Sequence, residues 1–245
     1  MNPSPFISVI IPTLQEEKAL PGTLEQFTEA LRRKYNLEII VSDGGSTDRT
    51  IDIARSKADR IIEHHEASKQ NISIGRNNGA RIAFGGLLIF FNADVVIEDS
   101  EKFFSTVAKV FEDERIIAAT CNVNIYPGEE SILDWMFHNF FNGYFWLLNI
   151  AGMGMGRGEC QIVRKKFFFK VGEYDNRLAA GEDYDLFMRL HKLGRTKFIR
   201  TLTVFESPRR FRKYGYLWIT LLWFLNAAAV LICGRSLVDH WKPVR

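Results

Sequence analysis

Several carboxylates and amides of this chain follow directly after apolar runs, where a parallel α/β sheet binds its ligands. The run over 87–91, Leu-Leu-Ile-Phe-Phe, is followed by Asn92 and Asp94. Such a run predicts a strand buried on both faces, with Asp94 just past its carboxyl end. A carboxylate there suits a hard divalent cation that bridges oxygen ligands and phosphates. The alternative is that Asp94 only caps the helix that follows.

A second polar turn follows an apolar run over 37–41. Its sequence over 42–48 is Ser-Asp-Gly-Gly-Ser-Thr-Asp, and a helix is predicted over 50–57. Strand, glycine-containing turn and helix form the unit that cradles phosphate or nucleotide groups. The turn contains neither GxGxxG nor GxxxxGK[ST], so neither a dinucleotide fingerprint nor a P-loop is predicted. The alternative is an ordinary loop that Asp48 caps.

Two further groups are candidates for chemistry. Arg76, in a predicted helix over 72–84, either contacts a diphosphate or is a plain surface charge. Acids including Asp183 and Asp185 open a predicted helix over 184–193, whose dipole stabilises negative charge at its start. One of them either caps that helix or acts as a general base at the mouth of a cleft.

The elements that would position these residues alternate between strand and helix. Strands are predicted over the apolar runs 7–11, 37–41, 60–62, 87–91 and 116–125, with helices between them. This order predicts an α/β fold with a mostly parallel central sheet, flanking helices and right-handed crossovers.

Composition narrows the class of protein. A chain of 245 residues suits one α/β domain, or one domain with an appendage. The net charge of +3 does not indicate a general nucleic-acid binder. The three cysteines lie far apart, so neither a disulfide framework nor a zinc site is predicted. Residues 1–5 have no charged segment leading into an apolar core, so we expect no signal peptide.

The second half of the chain changes character. Between residues 132 and 155 the only formal charge is on Asp134, aromatic residues are dense, and Asp134, His138 and Asn142 recur every four positions. That spacing predicts a helix over 131–152 with a narrow polar stripe. The helix is either buried in the domain or lies in a bilayer interface, and we favour the interface because amphipathic aromatic side chains concentrate there.

Residues 214–233 carry no formal charge, and about twenty such residues is the length that crosses a bilayer core. We expect this segment to be a membrane helix that spans or lies on the bilayer. The basic stretch 209–213 before it binds anionic headgroups, closes on a nucleotide diphosphate, or does both. The chain is therefore divided into a catalytic domain, 1–206, and a membrane-associated segment, 207–245. The basic residues of that segment are Arg209, Arg210, Arg212, Lys213, Arg235, Lys242 and Arg245.

Taken together, residues 7–205 resemble a family-2 glycosyltransferase with the nucleotide-diphospho-sugar transferase (GT-A) fold. The stretch from Ser207 to Arg210 ahead of an apolar helix resembles the membrane-bound branch, whose acceptors are lipid-linked. The sequence departs from the family at Asn92, where an aspartate usually begins an Asp-x-Asp metal motif. The matching pieces are Val9 to Thr13 with Glu16, Asp43 to Thr50, Arg76-Asn77, Asn92-Ala93-Asp94 and Gly181-Glu182-Asp183.

The resemblance implies a role for each residue. Asp94 would bind Mg²⁺ or Mn²⁺ on the donor diphosphate, and Asn92 would add a carbonyl oxygen to the metal or hydrogen-bond the sugar. Asp183 would deprotonate the acceptor hydroxyl. Arg209 and Arg210 would stabilise the departing diphosphate. The full donor set is Pro12, Thr13, Glu16, Asp43, Arg76, Asn92, Asp94, Arg209 and Arg210, and the acceptor set is Gly156, Gly158 and Glu182.

The implied activity is inverting transfer of a sugar, mannose in preference to glucose, from GDP-mannose or a UDP-sugar to a lipid-linked acceptor. The implied location is the cytoplasmic side of the cell membrane, without a nucleic-acid partner. A polyprenyl phosphate acceptor is the first alternative, but an ionised phosphate needs no base, so the Gly-Glu-Asp motif favours a hydroxyl acceptor.

The sequence leaves two other functions open. A sugar nucleotidyltransferase would need a basic, glycine-rich loop after the first strand, and residues 13–17 are acidic instead. A catalytically inactive, membrane-anchored module that binds nucleotide sugars is suggested by Asn92 at the expected metal site.

Overall fold

The computed structural model of the chain describes residues 6–64, 70–233 and 236. The strands are β1 (Ile7–Thr13), β2 (Leu37–Asp43), β3 (Arg60–Glu63), β4 (Leu87–Phe91), β5 (Val96–Ile97), β6 (Ile116–Ile125), β7 (Cys160–Arg164) and β8 (Arg195–Glu206). They form one sheet in the order β3-β2-β1-β4-β7-β6-β8-β5. The predicted α/β class and the predicted strands of the first half are therefore confirmed.

The helices lie between these strands and after β8. They are α1 (Leu20–Glu25), α2 (Glu29–Tyr35), α3 (Thr50–Lys57), α4 (Ile72–Ile82), α5 (Ser100–Val110), α6 (Ile132–Ile150), α7 (Lys165–Lys170), α8 (Glu182–His191), α9 (Arg209–Tyr214) and α10 (Tyr216–Cys233). Helix α8 begins two residues earlier than predicted, which places Glu182 and Asp183 in its first turn.

The sheet is mostly parallel, as predicted, with two exceptions. Strands β1, β2, β3 and β4 pair in parallel, as do β6 and β8. Strand β7 runs antiparallel to both of its neighbours, β4 and β6, and β5 runs antiparallel to β8. The direction of β7 could not be predicted because a short apolar run has the same pattern in either direction.

Parallel pairing brings the candidate residues to one edge of the sheet. Ile7 of β1 is opposite Leu37 of β2 and Leu87 of β4, so the carboxyl ends of these strands meet. All seven residues of β2 and all five of β4 are buried, because hydrophobic clusters pack on both faces of the sheet. The edge is consequently held by a packed core, which limits its movement.

Helix α6 turns its polar stripe inward. Asp134, His138 and Asn142 are buried, and the Asn142 side chain pairs with the backbone N–H and C=O of Val123 in β6 at 3.0 and 3.1 Å. Many apolar side chains of α6 point outward, although Phe141 and Phe145 are buried; the exposed ones are Ile132, Leu133, Trp135, Met136, Phe140, Leu147 and Ile150. The polar stripe therefore attaches the helix to the domain, and part of its apolar surface remains exposed.

Helix α10 packs against α6 along one side. The Trp223 ring lies 6.0 Å from that of Phe137, and Ile219 and Val230 are buried. Among the described residues no helix combines the length and apolarity needed to cross a membrane, so the predicted transmembrane span over 214–233 is not supported. The expectations for residues 1–5, Arg235, Lys242 and Arg245 lie outside the described residues.

A close approach between α4 and β1 gives a test of the packing. A Cβ at Gly79 would collide with the Cγ2 atom of Ile10, whereas a Cβ at Gly143 of α6 meets nothing within 4 Å. We expect Gly79→Ala to lower the free energy of unfolding by about 1–3 kcal/mol through overpacking. Gly143→Ala should leave it unchanged or raise it by up to about 1 kcal/mol, because alanine favours the helix. Urea unfolding of both variants measures this, and equal midpoints would contradict it.

Candidate active site

A cavity of about 920 Å³ opens at the carboxyl edge of the sheet. Its walls come from the ends of β1, β4 and β8, the loop before β7, the start of α8, and helices α6, α9 and α10. Nearly all of the residues selected from the sequence line it, namely Pro12, Thr13, Glu16, Arg76, Asn92, Asp94, Gly158, Glu182, Asp183, Arg209 and Arg210.

Two selected residues lie behind the cavity wall. Asp43 is fully buried; its Oδ1 accepts from the hydroxyls of Thr13 and Ser46 at 2.8 and 2.6 Å, and its Oδ2 accepts from the N–H of Gly45 at 2.9 Å. It thus shapes the loop that forms the wall. Gly156 lies against Phe187 of α8, where a Cβ would come within 2.6 Å of the ring. Its place in the fold is therefore one that only glycine fills.

Asp94 and Glu16 share one guanidinium. Arg209 Nη2 lies 3.1 Å from Asp94 Oδ2 and 3.1 Å from Glu16 Oε2. Burial raises the pKa of Asp94, and the positive charge of Arg209 opposes that rise. Because Arg209 comes from α9, this contact attaches the basic segment to the end of β4.

The oxygen ligands around Asp94 suit a metal ion that also binds substrate phosphates. Mg²⁺ binds through one or two carboxylates together with phosphate oxygens rather than in an all-protein cage. Asp94 offers one such carboxylate, and no cluster of three or more His, Cys, Asp or Glu among the described residues could hold a metal alone. The Oδ1 of Asn92 already accepts a hydrogen bond from Arg76 Nη2 at 2.9 Å. Asp94 therefore fits the metal role better than Asn92 does.

Arg76 is fully buried, so of the two alternatives for this residue the plain surface charge is wrong. Its Nη1 donates to Glu182 Oε1 at 2.8 Å, and its Nη2 donates to the Gly158 carbonyl at 2.6 Å as well as to Asn92. One guanidinium thus connects the end of β4, the loop before β7 and the start of α8. Its hydrogen bonds hold the protein walls around the cavity.

Asp183 faces the cavity from the first turn of α8. The helix begins at Gly181, which has φ of +80°, and Asp183 Oδ1 accepts from the N–H of Tyr184 at 2.9 Å. Burial raises the pKa of Asp183 well above its ordinary value, and the negative charges of Glu182 and Glu159 raise it further. A carboxylate with a raised pKa inside a cavity is suited to accept a proton.

Sequence reasoning missed several residues of the cavity wall. Glu159 and Glu206 add two carboxylates, and Trp223 and Phe224 of α10 add aromatic rings. Glu159 directly follows the glycine-rich loop, and Glu206 ends a strand just before the basic segment. Both positions therefore lie next to motifs that could have identified them as site residues. Nothing in the sequence of α10 indicated that it forms a wall of the site, because that depends on how the helix packs.

Comparison with known proteins places the chain in a family. The profile of Glycosyl transferase family 2 matches residues 8–171. That range holds β1 to β4, Asp94 and the loop before β7. The chain therefore belongs to glycosyl transferase family 2.

Curated relatives match part of the chain. A PGL/p-HBAD biosynthesis glycosyltransferase of Mycobacterium bovis is 32% identical over 114 residues, which cover 45% of this chain and 44% of that protein. A validoxylamine A glucosyltransferase of Streptomyces hygroscopicus subsp. limoneus is 37% identical over 95 residues, which cover 38% of this chain and 21% of that protein. The chain thus matches less than half the length of either relative.

Solved structures share the fold at low sequence identity. The mannosyltransferase PcManGT of Pyrobaculum calidifontis, solved with GDP-Man and Mn²⁺, has a TM-score of 0.64 and 18% identity, covering 84% of this chain and 58% of that one. S. aureus TarS 1-349 has a TM-score of 0.62 and 18% identity, covering 95% and 67%. The chain has the GT-A type of α/β fold.

The raised pKa of Asp183 gives a prediction about pH. A base acts when ionised, so the transfer rate falls as pH drops through the pKa of the folded enzyme. Glu182→Gln removes a negative charge that raises this pKa, while its amide oxygen still accepts from Arg76. We expect the acidic limb of the pH–rate profile to move to lower pH.

The matched control is Asp185→Asn on the same helix, whose carboxylate pairs with Arg189 at 2.5 Å outside the cavity. It should leave the acidic limb in place. An unchanged limb in Glu182→Gln, measured by initial rates across pH, would contradict the assignment of Asp183 as the base.

Proposed function

We propose that this chain is an inverting glycosyltransferase that moves a hexosyl group from a nucleotide-diphosphate sugar to a hydroxyl of a lipid-linked acceptor, with Mg²⁺ or Mn²⁺. One observation carries the proposal. Asp94, suited to a metal, and Asp183, suited to act as a base, line the same cavity. Arg76 joins the strand end beside Asp94 to the helix turn that holds Asp183, which keeps the two carboxylates in a constant relation.

The proposed reaction is a single displacement. Asp183 accepts the proton of the acceptor hydroxyl while that oxygen attacks the anomeric carbon, and the bond from that carbon to the diphosphate breaks on the opposite face. Arg209 and Arg210 line the cavity and would stabilise the charge of the leaving diphosphate. A bound divalent cation supplies further charge neutralisation on the diphosphate. Asp94 would hold that cation.

The charges of the cavity favour a hydroxyl over a phosphate acceptor. The negative charge of Glu159 raises the pKa of both Glu182 and Asp183, and that of Glu182 raises the pKa of Asp183 as well, so this end of the cavity is rich in carboxyl groups. The guanidinium nearest to Glu182 is Arg76, which is already paired with it. A polyprenyl phosphate would meet repulsion there, whereas a neutral hydroxyl would find a base.

The donor is proposed to be GDP-mannose, with a UDP-sugar as the second candidate. Support for the first comes from the fold shared with a mannosyltransferase solved with GDP-Man, and for the second from TarS solved with UDP-GlcNAc. The nucleoside would occupy the wall formed by Pro12, Thr13, Glu16 and Gly44.

Sugar transfer tests the activity. Purified protein would receive radiolabelled GDP-mannose or UDP-glucose, Mn²⁺ and a membrane lipid extract, and label entering the organic phase would be counted. Loss of a general base typically lowers a rate by about 10²–10⁴-fold, so we expect Asp183→Asn to fall by that factor. Asp94→Ala should lose most activity and its response to Mn²⁺.

Asp185→Asn is the control and should transfer normally. A wild type that binds a nucleotide sugar but labels no lipid would favour the inactive binding module. Normal transfer by Asp183→Asn would instead favour a phosphate acceptor, which needs no base.

Membrane attachment is proposed through an apolar surface built by two helices. We define this α6/α10 surface as the exposed side chains of α6 named above together with Leu217, Trp218, Leu221, Phe224 and Leu225 of α10. Tyr144 and Phe224 border the cavity from these same helices, so a lipid-linked acceptor in the bilayer would reach the site directly. Lys213 beside the surface suits anionic headgroups. The proposed location is the cytoplasmic face of the cell membrane.

Vesicle binding tests this surface. Leu217 is 89% exposed and Leu221 49%, so the double variant Leu217→Glu/Leu221→Glu removes two side chains that would enter the interface. Burying each leucine contributes about 1.5–3 kcal/mol, so we expect co-sedimentation with phosphatidylcholine–phosphatidylglycerol vesicles to fall more than about tenfold. Phe84→Glu, at an exposed site beside the amino end of β4, is the control. Equal sedimentation of both variants and the wild type would contradict the proposal.

A further inference from the structure

Two buried polar side chains beside the cavity have nitrogen or oxygen atoms without a hydrogen-bond partner among the described residues. Glu206 ends β8 and lines the cavity, and its buried Oε1 has no hydrogen-bond partner among the described residues. His138 of α6 lies behind it, with Nδ1 3.9 Å from that oxygen. Both ring nitrogens of His138 are likewise buried and unpaired within the described part of the chain. Glu206 therefore lines the cavity beside buried hydrogen-bonding atoms that no described residue satisfies.

Two charged residues complete this end of the cavity. Arg157 Nε lies 3.3 Å from Glu159 Oε2, and both residues line the cavity. Burial raises the pKa of Glu206 well above its ordinary value, and the charge of Glu159 raises it further. Burial lowers the pKa of His138 to about 4, so its imidazole is neutral near pH 7. We call Glu206, His138, Glu159 and Arg157 the inner polar cluster.

This arrangement is unfavourable for stability alone. A buried polar atom without a hydrogen bond loses its hydration without compensation. Replacing such groups by apolar ones of similar shape is often neutral or stabilising. Sites where a chain departs from these packing rules are expected at functional positions. The inner polar cluster is therefore a candidate for contact with a ligand.

The chemistry of the cluster selects a neutral, hydroxyl-bearing ligand. The paired charges of Arg157 and Glu159 offset each other, so the cluster favours neither a phosphate nor a cation. A hydroxyl both donates and accepts, so it can bind a carboxylate and a neighbouring guanidinium or imidazole together. The rings of Phe145 and Trp223 line the cavity too and offer flat apolar faces to a sugar ring.

The position of Glu159 relates the cluster to the proposed reaction. Its charge raises the pKa of Asp183 and also that of Glu206, so Glu159 lies within electrostatic reach of both. Asp183, Glu159 and Glu206 all line one cavity, so a ligand with one hydroxyl at Asp183 has the other two carboxyl groups within the same space. A sugar ring carries several hydroxyls in a fixed stereochemical arrangement, which suits contacts at more than one point.

We propose that Glu206, with His138 behind it, binds a hydroxyl of the acceptor's sugar ring other than the one that is glycosylated, and so selects the configuration of the acceptor. This inference rests on the proposed function, since it assigns a substrate class to the same cavity. Glu206 is a binding residue in it, and His138 positions the carboxyl group.

The experiment measures equilibrium binding of three probes by calorimetry: the octyl glycosides of glucose, mannose and galactose, below their micelle concentrations, with Mn²⁺ and GDP or UDP. The variants are Glu206→Leu, which removes the polar group at similar volume, and Glu206→Gln, which keeps hydrogen bonding without a charge. The control is Glu173→Gln, whose carboxylate pairs with Arg81 outside the cavity. The melting temperature of each variant is measured in parallel.

We expect the wild type and Glu173→Gln to prefer one glycoside. Glu206→Leu should bind that glycoside at least about tenfold more weakly, the loss expected for one strong hydrogen bond. Its melting temperature should be equal or higher, and its nucleotide binding should stay within about twofold. Glu206→Gln should bind more tightly than Glu206→Leu and discriminate less among the three sugars. A merely structural role for Glu206 predicts a lower melting temperature instead.

Three results would overturn the inference: equal glycoside binding by Glu206→Leu and wild type, no binding of any glycoside by the wild type, or tighter binding of octyl phosphate than of all three glycosides. Failure here and failure of the proposed activity are distinguishable. If the wild type transfers sugar to lipid but Glu206→Leu binds glycosides as well as the wild type does, only this inference fails. If glycoside binding depends on Glu206 but the wild type transfers no sugar to lipid, only the proposed activity fails.

Discussion

The guanidinium of Arg76 is fully buried, and its hydrogen bonds reach three segments that are distant in sequence: the end of β4, the loop before β7 and the start of α8. A buried charge is tolerated only when it is paired and hydrogen-bonded. Removing one partner of such a pair typically costs about 3–5 kcal/mol, because the other charge stays buried. The relative positions of Asn92, Gly158 and Glu182 therefore depend on this one side chain.

A second constraint is the way α6 attaches to the domain. Its polar residues pair inward, with Asn142 on the backbone of β6 and with Asp134 accepting from Arg212 of α9. The inward bonds leave part of the apolar face of α6 exposed and give α10 another part to pack on. The same arrangement places aromatic rings of both helices on the cavity wall. The site and the α6/α10 surface are thus two sides of one helix pair.

Prediction from sequence succeeded where local pattern and chain order suffice. The parallel strands of the first half follow from apolar runs separated by helices, and strand ends that meet at one edge bring Thr13, Asn92 and Asp94 together. It was less successful where partners decide the outcome. The sequence did not show that the oxygens of Asp43 accept from Thr13 and Gly45, or that Arg76 is buried with three acceptors.

The sequence by itself determined the α/β class, the family and eleven of the residues that line the cavity, because strand periodicity and short motifs are local properties. Tertiary structure decided the antiparallel direction of β7, the inward face of α6, the contact of Arg209 with Asp94, and the unpaired Glu206 beside His138. These features depend on contacts between groups that are far apart in the sequence. Burial and charge pairing, which set the pKa of Asp183 and the bonds of Arg76, exist only once those groups are packed together.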